Sequence, residues 1–218
     1  MPKPILSRAE KISRTMKARK IDNFKHWRDG HPVYYACIPY SGDLAEYIGV
    51  ILGDGNIEAT PRTERLIIVG NSSNPGFIER YSKLTYQLFG KKPTITKIKT
   101  ANAFRISLYQ KYISQRLGII TGNKESLPYI LPIWIEENDL FSIRFLRGLF
   151  EAEGSLNIHL PTCTYNFSFS NHNVHLLNIV ERLLRRLEFH PEVRNNAIRI
   201  RRRAEVEKLR KLIAFREY

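Results

Sequence analysis

The strongest constraint on how this chain folds is a nine-residue phrase that occurs twice. Residues 47–55 read Tyr-Ile-Gly-Val-Ile-Leu-Gly-Asp-Gly, and residues 146–154 read Leu-Arg-Gly-Leu-Phe-Glu-Ala-Glu-Gly. Each copy has apolar flanks, a glycine (Gly49, Gly148), a small residue four positions on (Gly53, Ala152), an acid (Asp54, Glu153) and a closing glycine. The closing glycines lie 99 residues apart (154 − 55), close to half of the 218-residue chain. A duplicated unit with one carboxylate per copy predicts two halves related by internal pseudo-symmetry, with the two acids brought together.

The approach to each acid is apolar enough for a packed helix, and Gly49 with Gly53, like Gly148 with Ala152, falls one turn apart on one face. Small residues at that spacing let two helix backbones touch. Glycine inside a helix costs roughly 1 kcal/mol relative to alanine, so helix–helix packing through these four residues is the expected compensation. Each helix is expected to end at its acid, with Gly55 and Gly154 as C-terminal glycines. Two carboxylates at helix C-termini face unfavourable dipoles and each other, penalties that a divalent cation between them removes. Hard oxygen donors with room for water favour Mg²⁺.

The pattern resembles the LAGLIDADG homing endonuclease family in its single-chain, two-motif form. The likeness continues past the motifs. Arg65–Asn71 and Tyr165–Asn171 read as strands, Pro75–Phe89 and Val174–Phe189 as helices, and Asn102–Ile106 is echoed by Asn196–Ile200. The resemblance implies an α+β fold of two pseudo-symmetric αββαββα halves whose antiparallel sheets form a DNA-binding saddle. The expected divisions are a basic extension over 1–40, halves over 41–122 and 139–218, and a linker over 123–138. Two departures stand out: Leu52 replaces an acid common in the family, and Glu153 replaces the commoner Asp.

What the resemblance implies for chemistry is metal-dependent hydrolysis of both strands of duplex DNA, leaving 3′ overhangs. Asp54 and Glu153 would bind the cations with the carbonyls of Gly53 and Ala152, Mg²⁺ being the expected ion and Mn²⁺ a substitute. Lys124 matches a pocket lysine of the family, and Asn71 and Asn171, at the ends of corresponding strands, match a water-ordering polar position. The same fold also serves intron-splicing maturases and DNA-binding regulators that do not cleave, and retention of both acids favours the nuclease.

Charge agrees with a polyanionic partner. Lys and Arg number 35 against 21 acids, a net +14, which makes binding salt-sensitive. Strand alternation puts Arg105, Ser107 and Tyr109 on a polar face, opposite Phe104, Ile106 and Leu108. In the second half Arg199, Arg201 and Arg203 oppose Ile198 and Ile200, with Asn166 and Ser168 on the same surface. Arginine suits guanine edges or phosphates, and asparagine suits adenine. The expected partner is double-stranded DNA with a long, asymmetric target, bound by a monomer; intron RNA is a further candidate. Residues 1–40 carry nine cations against three acids, Glu10, Asp22 and Asp29, and read as a basic arm. Two cysteines in no metal-ligand spacing fit a reducing compartment, and no apolar run is long enough to span a membrane. A microbial cytoplasm or nucleoid, or an organelle, is the expected location.

Overall fold

The first motif lies on helix α1 (Gly42–Leu52) and the second on helix α5 (Asp139–Glu153). Both helices begin at side-chain caps. Ser41 Oγ accepts the Leu44 N–H at 3.2 Å, and Asn138 Oδ1 accepts the Phe141 N–H at 3.1 Å. The computed structural model describes residues 35–122 and 128–218, and residues 37–218 form one compact unit.

The two motif helices run side by side through the core with their backbones in contact. A Cβ on Gly148 would overlap the Glu46 carbonyl oxygen and stand 2.7 Å from Val50 N; one on Gly49 would overlap the Phe145 carbonyl oxygen. A Cβ on Gly53 would overlap that of Ala152. Around this seam Tyr47, Val50, Ile51, Phe145, Leu149 and Phe150 are fully buried. Burial stabilises by roughly 1.5–3 kcal/mol for each large apolar side chain, enough to offset the glycine penalties.

Strands β1 (Gly55–Ala59) and β2 (Glu64–Asn71), helix α2 (Pro75–Phe89), strands β3 (Thr94–Lys97) and β4 (Ala103–Gln110), and a short helix α3 (Ile113–Leu117) follow the first motif helix. A single turn, α4 (Ile133–Glu136), precedes α5. The second half continues with β5 (Gly154–His159), a 3-10 turn (Leu160–Thr162), β6 (Thr164–Ser170), α6 (Val174–Arg186), β7 (Glu192–Arg194), β8 (Ala197–Ile200) and α7 (Arg203–Leu212). The sheets are antiparallel, ordered β1-β2-β4-β3 and β5-β6-β8-β7. The fold class is therefore α+β, with the same αββαββα order in both halves. One face of each sheet covers the core through Leu66, Ile68, Ile106 and Leu108, or through Phe167, Phe169, Ile198 and Ile200. Helices α2 and α6 start at asparagine caps 99 residues apart, Asn74 and Asn173.

Several local expectations need correction. Gly55 and Gly154 are not left-handed helix caps: each is the first residue of a strand, and Gly154 has φ −81° and ψ 142°. The chain doubles back over the helix it has just left. A Cβ on Gly55 would stand 2.5 Å from Ile51 Cα, and one on Gly154 would overlap the Phe150 carbonyl oxygen. Close approach, rather than positive φ, requires glycine at both positions. A left-handed glycine cap does occur after α2, at Gly90 with φ 65°. Helix α6 stops at Arg186, short of Phe189, because Glu188 takes a left-handed conformation (φ 65°) and Phe189 N–H donates to the Leu184 carbonyl at 3.0 Å.

The arginine run at 199–203 does not continue along one strand. Strand β8 ends at Ile200; Arg201 lies beyond it, and Arg203 opens helix α7, where it pairs with Glu207 at 3.1 Å. Val206 and Leu209 of that helix are buried, and helical spacing therefore overrides strand alternation after Ile200. Lys124 and nearly all of the 1–40 extension lie outside the described residues.

Candidate functional site

The acid of each motif arrives at the same place from a different helix end. Helix α1 stops at Leu52, and the Gly53 N–H donates to the Gly49 carbonyl at 3.1 Å, which leaves Asp54 just past the helix. Glu153 is the last residue of α5. A Cβ on Gly53 would stand 3.3 Å from Glu153 Cγ, a measure of how closely the two motif ends approach. Asp54 and Glu153 line one cavity of about 900 Å³, together with Gly53, Asn56, Asn171 and His172.

The two asparagines expected to be equivalent are not. Asn71 is the last residue of β2 and pairs with Ala103, whereas Ser170 is the last of β6 and pairs with Ala197. Asn71 therefore corresponds to Ser170, and Asn171 to Ser72. The consequence is chemical. Asn171 Nδ2 donates to Glu153 Oε1 at 3.5 Å while its Oδ1 accepts the Asn173 N–H at 2.8 Å. Asn71 is exposed, and its Oδ1 closes a turn by accepting from the N–H and Oγ–H of Ser73, both at 2.9 Å. Of the two asparagines, it is Asn171 that reaches an acid of the site.

Two carboxylates at the C-terminal ends of two packed helices form the hard oxygen set that suits Mg²⁺, Mn²⁺ or Ca²⁺. Among the described residues no cluster of three or more His, Cys, Asp or Glu side chains forms a metal cage. A cation here would thus depend on one carboxylate per motif, carbonyls, water and a ligand's own oxygens, the pattern typical of Mg²⁺ on a phosphate substrate.

Asn56 of β1 belongs both to this cavity and to the first sheet, where it lies opposite Ile67. Arg105 and Tyr109 share a face with Arg65, whose guanidinium lies 5.5 Å over the Tyr109 ring. Arg199 lies opposite Ser168 on the second sheet. The Nε atoms of Arg65, Arg105 and Arg199, and Oδ1 of Asn166, are buried without a hydrogen-bond partner among the described residues. Ser107 and Ser168, which share these faces, are buried on the sheet floor at 6% and 7% exposure, so the longer side chains around them present most of the surface. Arg65 was legible in advance: the same alternation that marks Arg105 places it two positions before Ile67.

Two buried acids escaped sequence reasoning because each looks like an ordinary helix-surface charge. Glu46 of α1 is fully buried and receives Arg80 (2.5 Å), Arg144 (2.9 Å) and Arg147 (3.5 Å). Glu151, one residue before Ala152, accepts the Arg216 N–H at 2.6 Å and the Tyr218 hydroxyl. Burial pushes its carboxyl above the usual carboxylate range, opposed by the hydrogen bonds from Tyr218 and Arg216 and by Arg147.

Known proteins of this architecture can now be set beside it. Residues 141–216 match the family described as the LAGLIDADG-like domain. This is a LAGLIDADG fold. The homing endonuclease I-DmoI in complex with DNA and Mn is similar over 79% of this chain and 96% of its own, at 19% identity and a TM-score of 0.55. The N-terminal LAGLIDADG domain of DUF199/WhiA is similar over 81% of this chain and 84% of its own, at 17% identity and 0.55. Full-length DUF199/WhiA from Thermatoga maritima is covered over 58% of its length and 82% of this one, at 16% identity and 0.56. A sequence comparison with curated proteins finds no match. At these identities the LAGLIDADG likeness establishes the fold, and function rests on the site.

Proposed function

We propose that this protein is a site-specific endonuclease that binds a long, asymmetric duplex as a monomer and hydrolyses one phosphodiester in each strand. The observation that carries this reading is the meeting of Asp54 and Glu153, one from each motif copy, in a single cavity at the end of the packed helix pair. The two-motif architecture shared with I-DmoI, whose complexes include DNA with Mn and DNA with Ca, supports the same reading.

Asp54 and Glu153 would hold divalent cations, Mg²⁺ or Mn²⁺, helped by the Gly53 and Ala152 carbonyls. Bound cations supply activation of water and stabilisation of charge on the phosphate and the departing 3′ oxygen. The chain's own part is positional. The helix seam fixes the spacing of the two acids, Asn171 orients Glu153, and the arginines of the sheet faces engage the duplex to present one scissile phosphate to each acid. Cuts related by the pseudo-twofold axis leave 3′ overhangs. The family resemblance assigns Lys124 to ordering water.

The likeness to DUF199/WhiA favours a second reading, DNA binding without cleavage. A maturase acting on intron RNA is the third. Selection on a randomised duplex library in Mg²⁺ and in Ca²⁺, comparing wild type with Asp54→Asn and Glu153→Gln, separates them. The nuclease reading expects wild type to cut an enriched site in Mg²⁺ and both variants to bind that site uncut. Enrichment without cleavage by wild type overturns it in favour of a regulator. Failure to enrich any duplex, with retention of structured RNA, overturns it in favour of a maturase.

A further inference from the structure

The polar faces of the two sheets carry different chemistry at the same scaffold positions. Val69 lies opposite Arg105 as Ser168 lies opposite Arg199, so the neighbours two residues earlier, Ile67 and Asn166, are also equivalent. In the first half the centre of the face is branched aliphatic; in the second it is amide and hydroxyl. Ile67 is buried to 8% exposure yet stands outside the hydrophobic core that contains its neighbours Leu66 and Ile68. Val69 is half-buried beside it. Core packing therefore does not explain these two side chains, which point away from the core by strand alternation.

Their surroundings point outward to a ligand. Arg65 and Arg105 flank them, each with a buried Nε that lacks a hydrogen-bond partner among the described residues, and Tyr109 is 46% exposed on the same face. In the second half Asn166 Oδ1 and Arg199 Nε are likewise buried without a partner among the described residues. Within a major groove the thymine C5-methyl is the group that an aliphatic side chain complements, whereas an asparagine amide complements the N6 and N7 edge of adenine.

We propose that the two halves read their half-sites by different chemistry: Val69, backed by Ile67, contacts thymine methyls in the first, and the Asn166 amide hydrogen-bonds base edges in the second. This rests on the duplex-DNA reading above. It also gives the target's asymmetry a physical origin, because the pseudo-symmetric scaffold presents non-equivalent surfaces. The competing role for Ile67 and Val69 is to support the aliphatic stems of the arginines, which predicts no dependence on thymine.

The test uses the full chain in Ca²⁺, with the duplex enriched from the randomised library. That duplex is remade with deoxyuridine for thymine in one half-site at a time. Loss of one buried methyl contact predicts about a fourfold weaker affinity when the first half-site is substituted. Substitution in the second is expected to stay within about twofold, below that same methyl contribution. Val69→Ser is expected to abolish the first effect, and Asn166→Ala to relax base preference only in the second half-site. Equal effects in both half-sites, a first half-site enriched without thymine, or a methyl dependence that survives Val69→Ser each overturn the inference while leaving DNA binding intact. Failure to enrich any duplex overturns the DNA reading itself, and the inference with it.

Discussion

The two motif copies differ in kind at the residue two before the acid. Leu52 of the first joins the hydrophobic core, whereas Glu151 of the second is buried as an acceptor for the C-terminal tail. The first copy has its own buried acid, but at the other end of the helix: Glu46, ion-paired to Arg80 of its own half and to Arg144 and Arg147 of α5. Arg147 also donates to the Glu217 carbonyl at 2.8 Å, which ties the tail to the same helix. Symmetry is thus strict where backbones touch, at Gly49 and Gly148, and close at the next turn, where Gly53 matches Ala152. It relaxes where side chains make the contacts, because a side chain can be replaced by another with a different partner and a backbone cannot.

The sharpest way to break this comparison is at the seam. Gly148→Leu puts a side chain into the α1 backbone, and overpacking that ordinarily costs about 1–3 kcal/mol cannot relax against main chain. The expected outcome is loss of a cooperative unfolding transition by circular dichroism; a stable, cooperatively folded variant would contradict the seam geometry. Next in size is Glu46→Gln, which removes the buried carboxylate shared by Arg80, Arg144 and Arg147 and leaves Arg144 with Asp43. It is expected to cost about 3 kcal/mol in urea denaturation, whereas Leu52→Glu, at the relaxed position of the first copy, tests whether the pre-acid site tolerates a charge without the tail to receive it.

Asn171→Ala tests the asymmetry of the site. Removing a residue that orients a metal-binding carboxylate typically lowers activity 10–100-fold, and the loss is expected on the strand served by Glu153. Asn71→Ala, whose side chain closes a turn, is expected to leave strand-resolved rates nearly unchanged. Equal losses from both variants would restore the equivalence that the strand register denies.

The smallest expected effect is at Glu151. Its folded-state carboxyl is raised by burial, so the folded form holds its proton to higher pH than the unfolded form. Its contribution is therefore most favourable at acid pH and is lost as pH rises through the folded value. Glu151→Gln is expected to match wild type at acid pH and to gain on it toward neutral pH, read from denaturation midpoints across that range. A gap that widens toward acid pH would mean the carboxylate form is the one stabilised.

The amino-acid sequence alone specifies the duplication, the α+β order and the motif helices with their small-residue faces, because these follow from short-range periodicity and a repeat that composition cannot mimic. It also marked Asp54 and Glu153 as the pair to examine. Three-dimensional packing settled the rest. Gly55 and Gly154 are needed for close approach to a preceding turn, which no local φ preference reveals. Asn71 and Asn171 are out of register by one residue, a distinction set by cross-strand pairing between segments some 30 residues apart. Arg201 and Arg203 leave the strand because the apolar side chains Val206 and Leu209 are buried on a helix. Glu46 and Glu151, too, look like solvated helix charges until the partners that bury them arrive from distant segments. Local pattern specifies which elements form; which polar groups meet is decided when those elements pack and each buried donor or acceptor must find a partner.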